Sequence, residues 1–538
     1  MRRFIVWLLL LCLGLTIGAC QSLPPMTDLW QAPNGFPVGG RATIALPDRL
    51  DVVQPWDITN RSVEVFVSLT HAGLMRLDTT GMPQPELLTD WQASSDGRVI
   101  TATLTADLQW SDGAPLTASD VVFTYDALKS LPVSSPLTAE LALVAAVTRV
   151  DDTHVRFTLS RPYAPILTIW SVPILPSHVL ATQQVADVNM KNLLVSAGPF
   201  TYASHAEDGT VLLARNPHYV LGAPLLDEIM LYVGRTPQQM QADVRTGTVD
   251  IAELQTSSPL AETTALSTTT YAQHQMFLAI YNMRAGHVTS DATLRRALGA
   301  HLETAAHALF LPESWVSRAV TTSTTLAGAP QLLDEAGWRI SPDTAIRQRG
   351  DKPLEVSLVV ASDNAVLMTH ADQLEQVWQA LGITVVRQNL ARADYLNALI
   401  PPYPYDVMLV ELAGGRSNST YADTLFYEPD VRALFDGAQR NDGIPNTRGS
   451  LNLSGIQDTT VNAVLARIYD TYESTSRQHL YADLLAALQQ QHPIHVLSRP
   501  TTTIIYGARL QATTGSLQLS SPWYPTNASR WYVQPPPQ

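Results

Sequence analysis

Cysteine is nearly missing from this chain: two occur in 538 residues, Cys12 and Cys20. Cys12 lies in an apolar leader-like stretch, so no internal disulfide framework is available and stability must come from a hydrophobic core. Charge is sparse as well, at 15% of residues, and the balance is −14. With no run of Lys or Arg, nothing offers an anionic polymer a footing, which argues against nucleic acid as a partner. Long apolar runs are also lacking. The uncharged stretch Phe4 to Ile17 falls short of the roughly 18 to 20 residues that a membrane-crossing helix requires.

Catalytic signatures are missing too. The sequence contains no G-x-S-x-G, no H-E-x-x-H, no G-x-x-x-x-G-K-[ST] and no G-x-G-x-x-G after a strand. His301 and His307 are six apart, which puts them on different faces of a helix, and Pro493 interrupts His492 and His495. No metal or cofactor site is read from these residues. Carboxylates are plentiful but none is singled out, so an acid pair of the glycosidase kind stays open.

What is present begins with Arg2 and Arg3, the apolar stretch, and Ile17-Gly18-Ala19-Cys20. Residues 1–20 read as a lipoprotein signal that is cleaved ahead of a lipidated Cys20, which predicts an extracytoplasmic chain anchored to the membrane by lipid. Residues 21–40 carry Pro24, Pro25, Pro33 and Pro37 with Gly35, Gly39 and Gly40, the composition of a tether. The remainder is apolar enough to be globular and long enough for two or three domains.

The clearest local reading is Val99 to Tyr125. Alternating Thr, Val and Leu predict a strand from Val99 towards Trp110, Asp112-Gly113 a turn, and Thr117 with Asp120 a capping box opening a helix over Val121 to Leu128. Further on, strands at Leu354–Ala361, Ile383–Arg387 and Tyr405–Val410 alternate with helices at Ala371–Leu381 and Arg392–Leu399. That rhythm predicts a mostly parallel sheet. Helices follow at Val461–Tyr472 and Ser476–Gln491.

The wording of these segments is specific. Pro85-Glu86-Leu87-Leu88-Thr89-Asp90-Trp91, Trp110-Ser111-Asp112-Gly113-Ala114-Pro115-Leu116-Thr117-Ala118-Ser119-Asp120-Val121-Val122-Phe123, Arg215-Asn216-Pro217-His218-Tyr219 and Leu332-Leu333-Asp334-Glu335-Ala336-Gly337-Trp338 together resemble the extracytoplasmic solute-binding proteins of family 5, the oligopeptide, dipeptide and nickel receptors of ABC importers. The resemblance runs from Arg41 to Tyr506. It implies an α/β, two-lobed periplasmic-binding-protein-like fold of type II, in the large class with an extra subdomain. Lobe I would take residues 41–281, with the extra subdomain at about 67–194. Lobe II would take 282–494, and 495–538 would return to lobe I, with crossings near Tyr281 and His495. The segment 300–330 is shorter than the family's. The implied partners are a small peptide-like or other polar solute and ABC permease and ATPase subunits, with the receptor a monomer and no covalent chemistry. A secreted hydrolase or a non-transport sensor on the same scaffold is the alternative.

In peptide-binding members of that family, a segment worded G-W-x-x-D carries an aspartate that pairs with the ligand's ammonium. Here register places Glu411 at the Gly, Leu412 at the Trp, then Ala413, with Gly415 at the Asp, so that anchor is replaced. Either Glu411 supplies a displaced carboxylate or the ligand is not a peptide with a free amino terminus. Arg416 would suit a carboxylate, phosphate or sugar hydroxyl. Topology adds Leu46 and Pro47 after the first strand, Asn282 at the crossing, and Tyr421 as ligand-binding candidates. Trp91 and Trp110 read as core, and Trp56 is open between core and ligand stacking.

Overall fold

The structure is a computed structural model describing residues 35–50, 53–56, 58, 60–131, 141–183, 194–255, 266–273, 275–300, 309–312, 314–317, 328–413 and 452–534. One corner follows the sequence reading closely. Ile100, Ala102 and Leu104 turn inward from the strand Val99–Leu104, one face of a period-two pattern. The strand ends there, short of Trp110, because Asp107 swings to a φ of 56° and directs the chain inward, leaving Trp110 fully buried. Gly113 follows at a φ of 85°, which only glycine adopts without cost. The Ala114 amide donates to Asp112 Oδ1 at 3.0 Å, and the Trp110 amide donates to the Ala114 carbonyl at 2.8 Å.

Thr117 then caps the helix Ala118–Lys129. Its Oγ1 accepts from the Ser119 amide at 3.2 Å, while its own amide donates to Asp120 Oδ2 at 2.9 Å. Asp120 has a second task. Its Oδ1 accepts from the amide and the hydroxyl of Ser177, at 3.0 and 2.6 Å, so one buried carboxylate both starts a helix and pins a distant segment.

Two large sheets carry the molecule. The first has seven strands in the order Ser267–Ala272, Thr501–Tyr506, Ile251–Gln255, Arg41–Ala45, Glu228–Tyr232, Thr210–Arg215, Phe200–His205. Its three middle strands are parallel. The second has five, in the order Thr384–Leu390, Glu355–Ala361, Val407–Ala413, Gln275–Tyr281, Ile494–Ser498. A separate antiparallel sheet of four strands, between Leu88 and Leu159, packs with the Ala118–Lys129 helix.

Three expectations change. The second sheet is mixed: its first three strands are parallel as the βαβαβ rhythm requires, but Gln275–Tyr281 runs antiparallel to both of its neighbours. The helix expected at Ala371 starts at Ala365, because Asn364 Oδ1 accepts from the amides of Val366 and Leu367 and caps it earlier. The chain changes sheets between Ala272 and Gln275 and returns between Ser498 and Thr501, not at Tyr281 and His495. The strand that ends at Tyr281 belongs wholly to the second sheet, as does the one that contains His495.

The two passages touch. The Gln273 amide donates to the Pro500 carbonyl at 2.8 Å, and its side-chain Nε2 donates to the Thr501 carbonyl at 3.3 Å and the Thr502 hydroxyl at 3.1 Å. A second link joins the helices Thr459–Asp470 and Ser474–Gln491 to the four-stranded sheet. There Tyr472 donates its hydroxyl proton to the Gly97 carbonyl at 2.8 Å and accepts from the Tyr163 amide at 3.1 Å. Among the described residues no helix is long and apolar enough to cross a membrane.

Replacing Asp120 by Ala removes the cap partner and leaves Ser177 without its acceptor. The expected loss is about 2–4 kcal/mol, read as a lowered urea midpoint. A shift of under about 0.5 kcal/mol would show that the corner contributes nothing specific.

Candidate functional site

In open α/β sheets ligands gather beyond the carboxyl ends of parallel strands, since loops and helix starts converge there. In the first sheet this edge follows Arg41–Ala45 and ends Ile251–Gln255; in the second it ends Glu355–Ala361 and Val407–Ala413. Both edges hold charged or amide side chains.

At the first edge stands Arg61, the opening residue of the helix Arg61–Thr70, where the helix dipole disfavours a cation. Glu253 compensates. Arg61 Nε donates to Glu253 Oε2 at 3.0 Å and Nη2 to Oε1 at 3.0 Å, while Nη1 lies 2.9 Å from Glu64. Tyr271 donates its hydroxyl to Glu253 Oε2 at 3.0 Å, and the guanidinium lies over the Tyr271 and Tyr524 rings at 5.4 and 5.6 Å. Glu253 is 1% exposed. Burial works against the Arg61 cation, yet Glu253, Tyr271 and Glu64 outweigh it and hold the guanidinium charged. Burial also lifts the Asp48 carboxyl, against amide hydrogen bonds from Arg61 and Ser62.

At the second edge stands Glu411. Its Oε1 accepts from Gln275 Nε2 at 2.6 Å and its Oε2 from Asn364 Nδ2 at 2.5 Å, so two neutral amides orient a half-buried carboxylate. Asn364 is thereby both helix cap and carboxylate partner. Nearby, His370 Nε2 and Ser498 Oγ are 2.7 Å apart, and burial lowers the imidazole pKa. Tyr271 and Gln275 flank the first passage between sheets. The two clusters therefore approach one another through the crossing strands.

The sequence candidates fare unevenly. Glu411 stands at a strand end, and Pro47 is half-buried on the loop after the first strand. Leu46 is fully buried in the core and Leu412 is 3% exposed, so neither side chain is free to face a solute. Asn282 is a structural residue. Fully buried, it donates to the carbonyls of Tyr403 and Tyr405 at 3.2 and 3.0 Å and accepts from Arg284. Ala413 closes its strand opposite Gln275. Gly415, Arg416, Tyr421 and Cys20 lie outside the described residues. Trp56, Trp91 and Trp110 are all in the core.

Arg61, Glu253, Tyr271, Gln275 and Asn364 are not among the sequence candidates. Two of them left a signal: a cation opening a helix and a carboxylate in an otherwise apolar strand each demand a partner. Among the described residues no group of three His, Cys, Asp or Glu side chains is arranged to hold a metal ion.

Two sheets joined by paired passages, with polar clusters at the strand ends of each, are the architecture of a two-lobed α/β solute-binding protein. The family model for bacterial extracellular solute-binding proteins, family 5, matches residues 82–430, and the chain belongs to that family. It is 29% identical over 315 residues to Protein XP55 of Streptomyces lividans, covering 56% of this chain and 58% of that protein. It is 23% identical over 337 residues to a putative ABC transporter peptide-binding protein of Brucella ovis, covering 59% and 62%. Thus the chain spans about 60% of the length of the curated relatives it matches. In three dimensions it is similar to AppA of Bacillus subtilis, an oligopeptide-binding protein solved with a nonapeptide, with a TM-score of 0.59 at 18% identity, covering 93% of this chain and 100% of that one.

The Arg61–Glu253 pair makes a two-sided prediction. Glu253→Ala strands a buried guanidinium and should cost about 3–5 kcal/mol, whereas Arg61→Met with Glu253→Leu should recover most of that loss in urea denaturation. Equal losses in single and double variants would contradict the geometry.

Proposed function

We propose that this chain is the substrate-binding protein of an ABC importer, a lipid-anchored extracytoplasmic receptor. It closes two lobes over a small solute, peptide-like or otherwise polar, and passes it to permease and ATPase subunits. The observation that carries this reading is the pair of hydrogen-bonded passages at Gln273 and Pro500 with polar clusters on either side. Capture by hinge closure needs a compact pivot and polar groups that replace the solute's water, and it needs no nucleophile. Family membership and the peptide-binding names of its relatives support the same class of solute.

Within this reading Glu411 is the group that meets a cationic or proton-donating end of the solute. Each of its oxygens accepts one amide hydrogen bond and keeps a lone pair. Residues 1–20 act as the signal, Cys20 carries the lipid, and the following segment is the tether. The receptor works as a monomer.

Native mass spectrometry of the protein as purified tests the proposal, because a closed site retains its solute. The expected result is a bound small molecule that is released unchanged on denaturation, with Glu411→Gln weakening its rebinding at least tenfold. Conversion of that molecule into a product by the protein would overturn the receptor reading in favour of a hydrolase. Cys20→Ser should move the protein from the membrane fraction to the soluble fraction, and unchanged fractionation would remove the lipid from the account.

A further inference from the structure

A cavity of about 120 Å3 lies within the first lobe, between the helix Arg61–Thr70, the strand Met75–Leu77 and the segment around Trp523 and Thr526. No residue of the second sheet lines it, so it is separate from the Glu411 cluster, while Glu64, the ion-pair partner of Arg61, stands on its wall. That space is well above the roughly 10–15 Å3 that a single water needs by the same measure.

Its polar groups are arranged in opposition. Arg76 has Nε and Nη1 buried and without a hydrogen-bond partner among the described residues. Such donors are costly when left unmet. Glu86 is 5% exposed and interacts electrostatically with Arg76, yet no nitrogen of Arg76 comes within ion-pair distance of it. Glu86 Oε1 accepts from the Tyr219 hydroxyl at 2.8 Å and Oε2 from the Gly73 amide at 3.1 Å, leaving one lone pair on each oxygen. Burial lifts the Glu86 carboxyl despite these bonds and the Arg76 charge.

His71 adds a bare acceptor. Thr70 Oγ1 donates its only proton to the Phe66 carbonyl at 2.7 Å, so across the 2.7 Å contact with His71 Nδ1 it must accept. The proton therefore sits on Nδ1, and Nε2 is left as a lone pair on a ring that lines the cavity. Burial holds this imidazole at about 3, so it stays neutral under ordinary conditions. Val67, Met75 and Leu77 supply apolar wall.

A cation and a carboxylate that face one space without touching call for a molecule carrying the reverse pair. We propose that this cavity is a second ligand site, for a small zwitterion of the α-amino-acid type, its carboxylate on Arg76 and its ammonium between Glu86 and His71 Nε2. An inorganic anion would satisfy Arg76 but press against Glu86. A metal cation would meet Glu86 but be repelled by Arg76. The space accommodates a small member of that class, such as glycine, alanine or serine. The proposal does not depend on what the interlobe site binds.

Isothermal titration of the mature protein with L-alanine tests it, with acetate and methylammonium as single-charge probes. Expected are saturable binding of L-alanine, at least tenfold weaker binding of either single-charge probe, and at least tenfold weaker L-alanine binding in Arg76→Met and in Glu86→Gln. Absence of L-alanine binding to the wild type overturns the proposal, and so does wild-type affinity in folded Arg76→Met. If either variant fails to fold, a crystal structure of the wild type grown with L-alanine decides. Density spanning Arg76 and Glu86 supports the site, and density elsewhere or none overturns it.

Discussion

The hydrogen bonds between Gln273 and Pro500–Thr502 are the constraint on which the arrangement rests. A chain that leaves one sheet and returns to it more than two hundred residues later could do so anywhere along either edge. Here both passages lie side by side, on strands that are direct neighbours: Ser267–Ala272 pairs with Thr501–Tyr506, and Gln275–Tyr281 pairs with Ile494–Ser498. Each sheet is thus built right up to the pivot, and only a few residues on each strand are free to absorb a change of angle. In the proposed receptor that geometry is the pivot about which two folded bodies open and close.

Electrostatics at the strand ends follow from this packing. Arg61, Glu253, Tyr271 and Tyr524 bring together residues from four separate stretches of chain, and the ion pair is tolerable because both carboxylate oxygens and the guanidinium face are satisfied. Asp250, immediately before the strand Ile251–Gln255 and so at its amino end, is a second case. It accepts from the Thr43 amide and hydroxyl at 2.8 and 2.9 Å and from Arg509 at 2.8 and 2.6 Å, fastening the returning C-terminal segment to the first strand. Both carboxylates organise the first lobe before any solute arrives. Glu411 differs in being held by neutral amides, with no cationic partner among the described residues.

Local chemistry was the most legible part of the sequence. The Asp112-Gly113 turn and the Thr117–Asp120 box are written in adjacent residues, and the structure has both with the partners their chemistry requires. The crossings were less legible because Met276 to Tyr281 is uniformly apolar. Such a strand is buried on both faces in either lobe, and nothing in its residues says to which sheet it belongs. Site residues were the least legible. Leu46, Leu412 and Asn282 sit at suggestive positions along the chain, but the pleat and the turn after it point their side chains into protein. Arg61 and Glu253 could have been flagged by their local misfit, though their pairing spans 192 positions and no local rule supplies it.

The central claim is that the paired passages are a hinge. It is tested most directly by the distance between spin labels at two exposed sites, Val150→Cys in the first lobe and Ile400→Cys in the second, on a mature chain carrying Cys20→Ser. Measured by pulsed electron resonance on protein stripped of its solute and then reloaded, the interlobe distance should shorten on loading while a pair of labels within one lobe stays unchanged. An interlobe distance that is the same with and without solute would contradict the account.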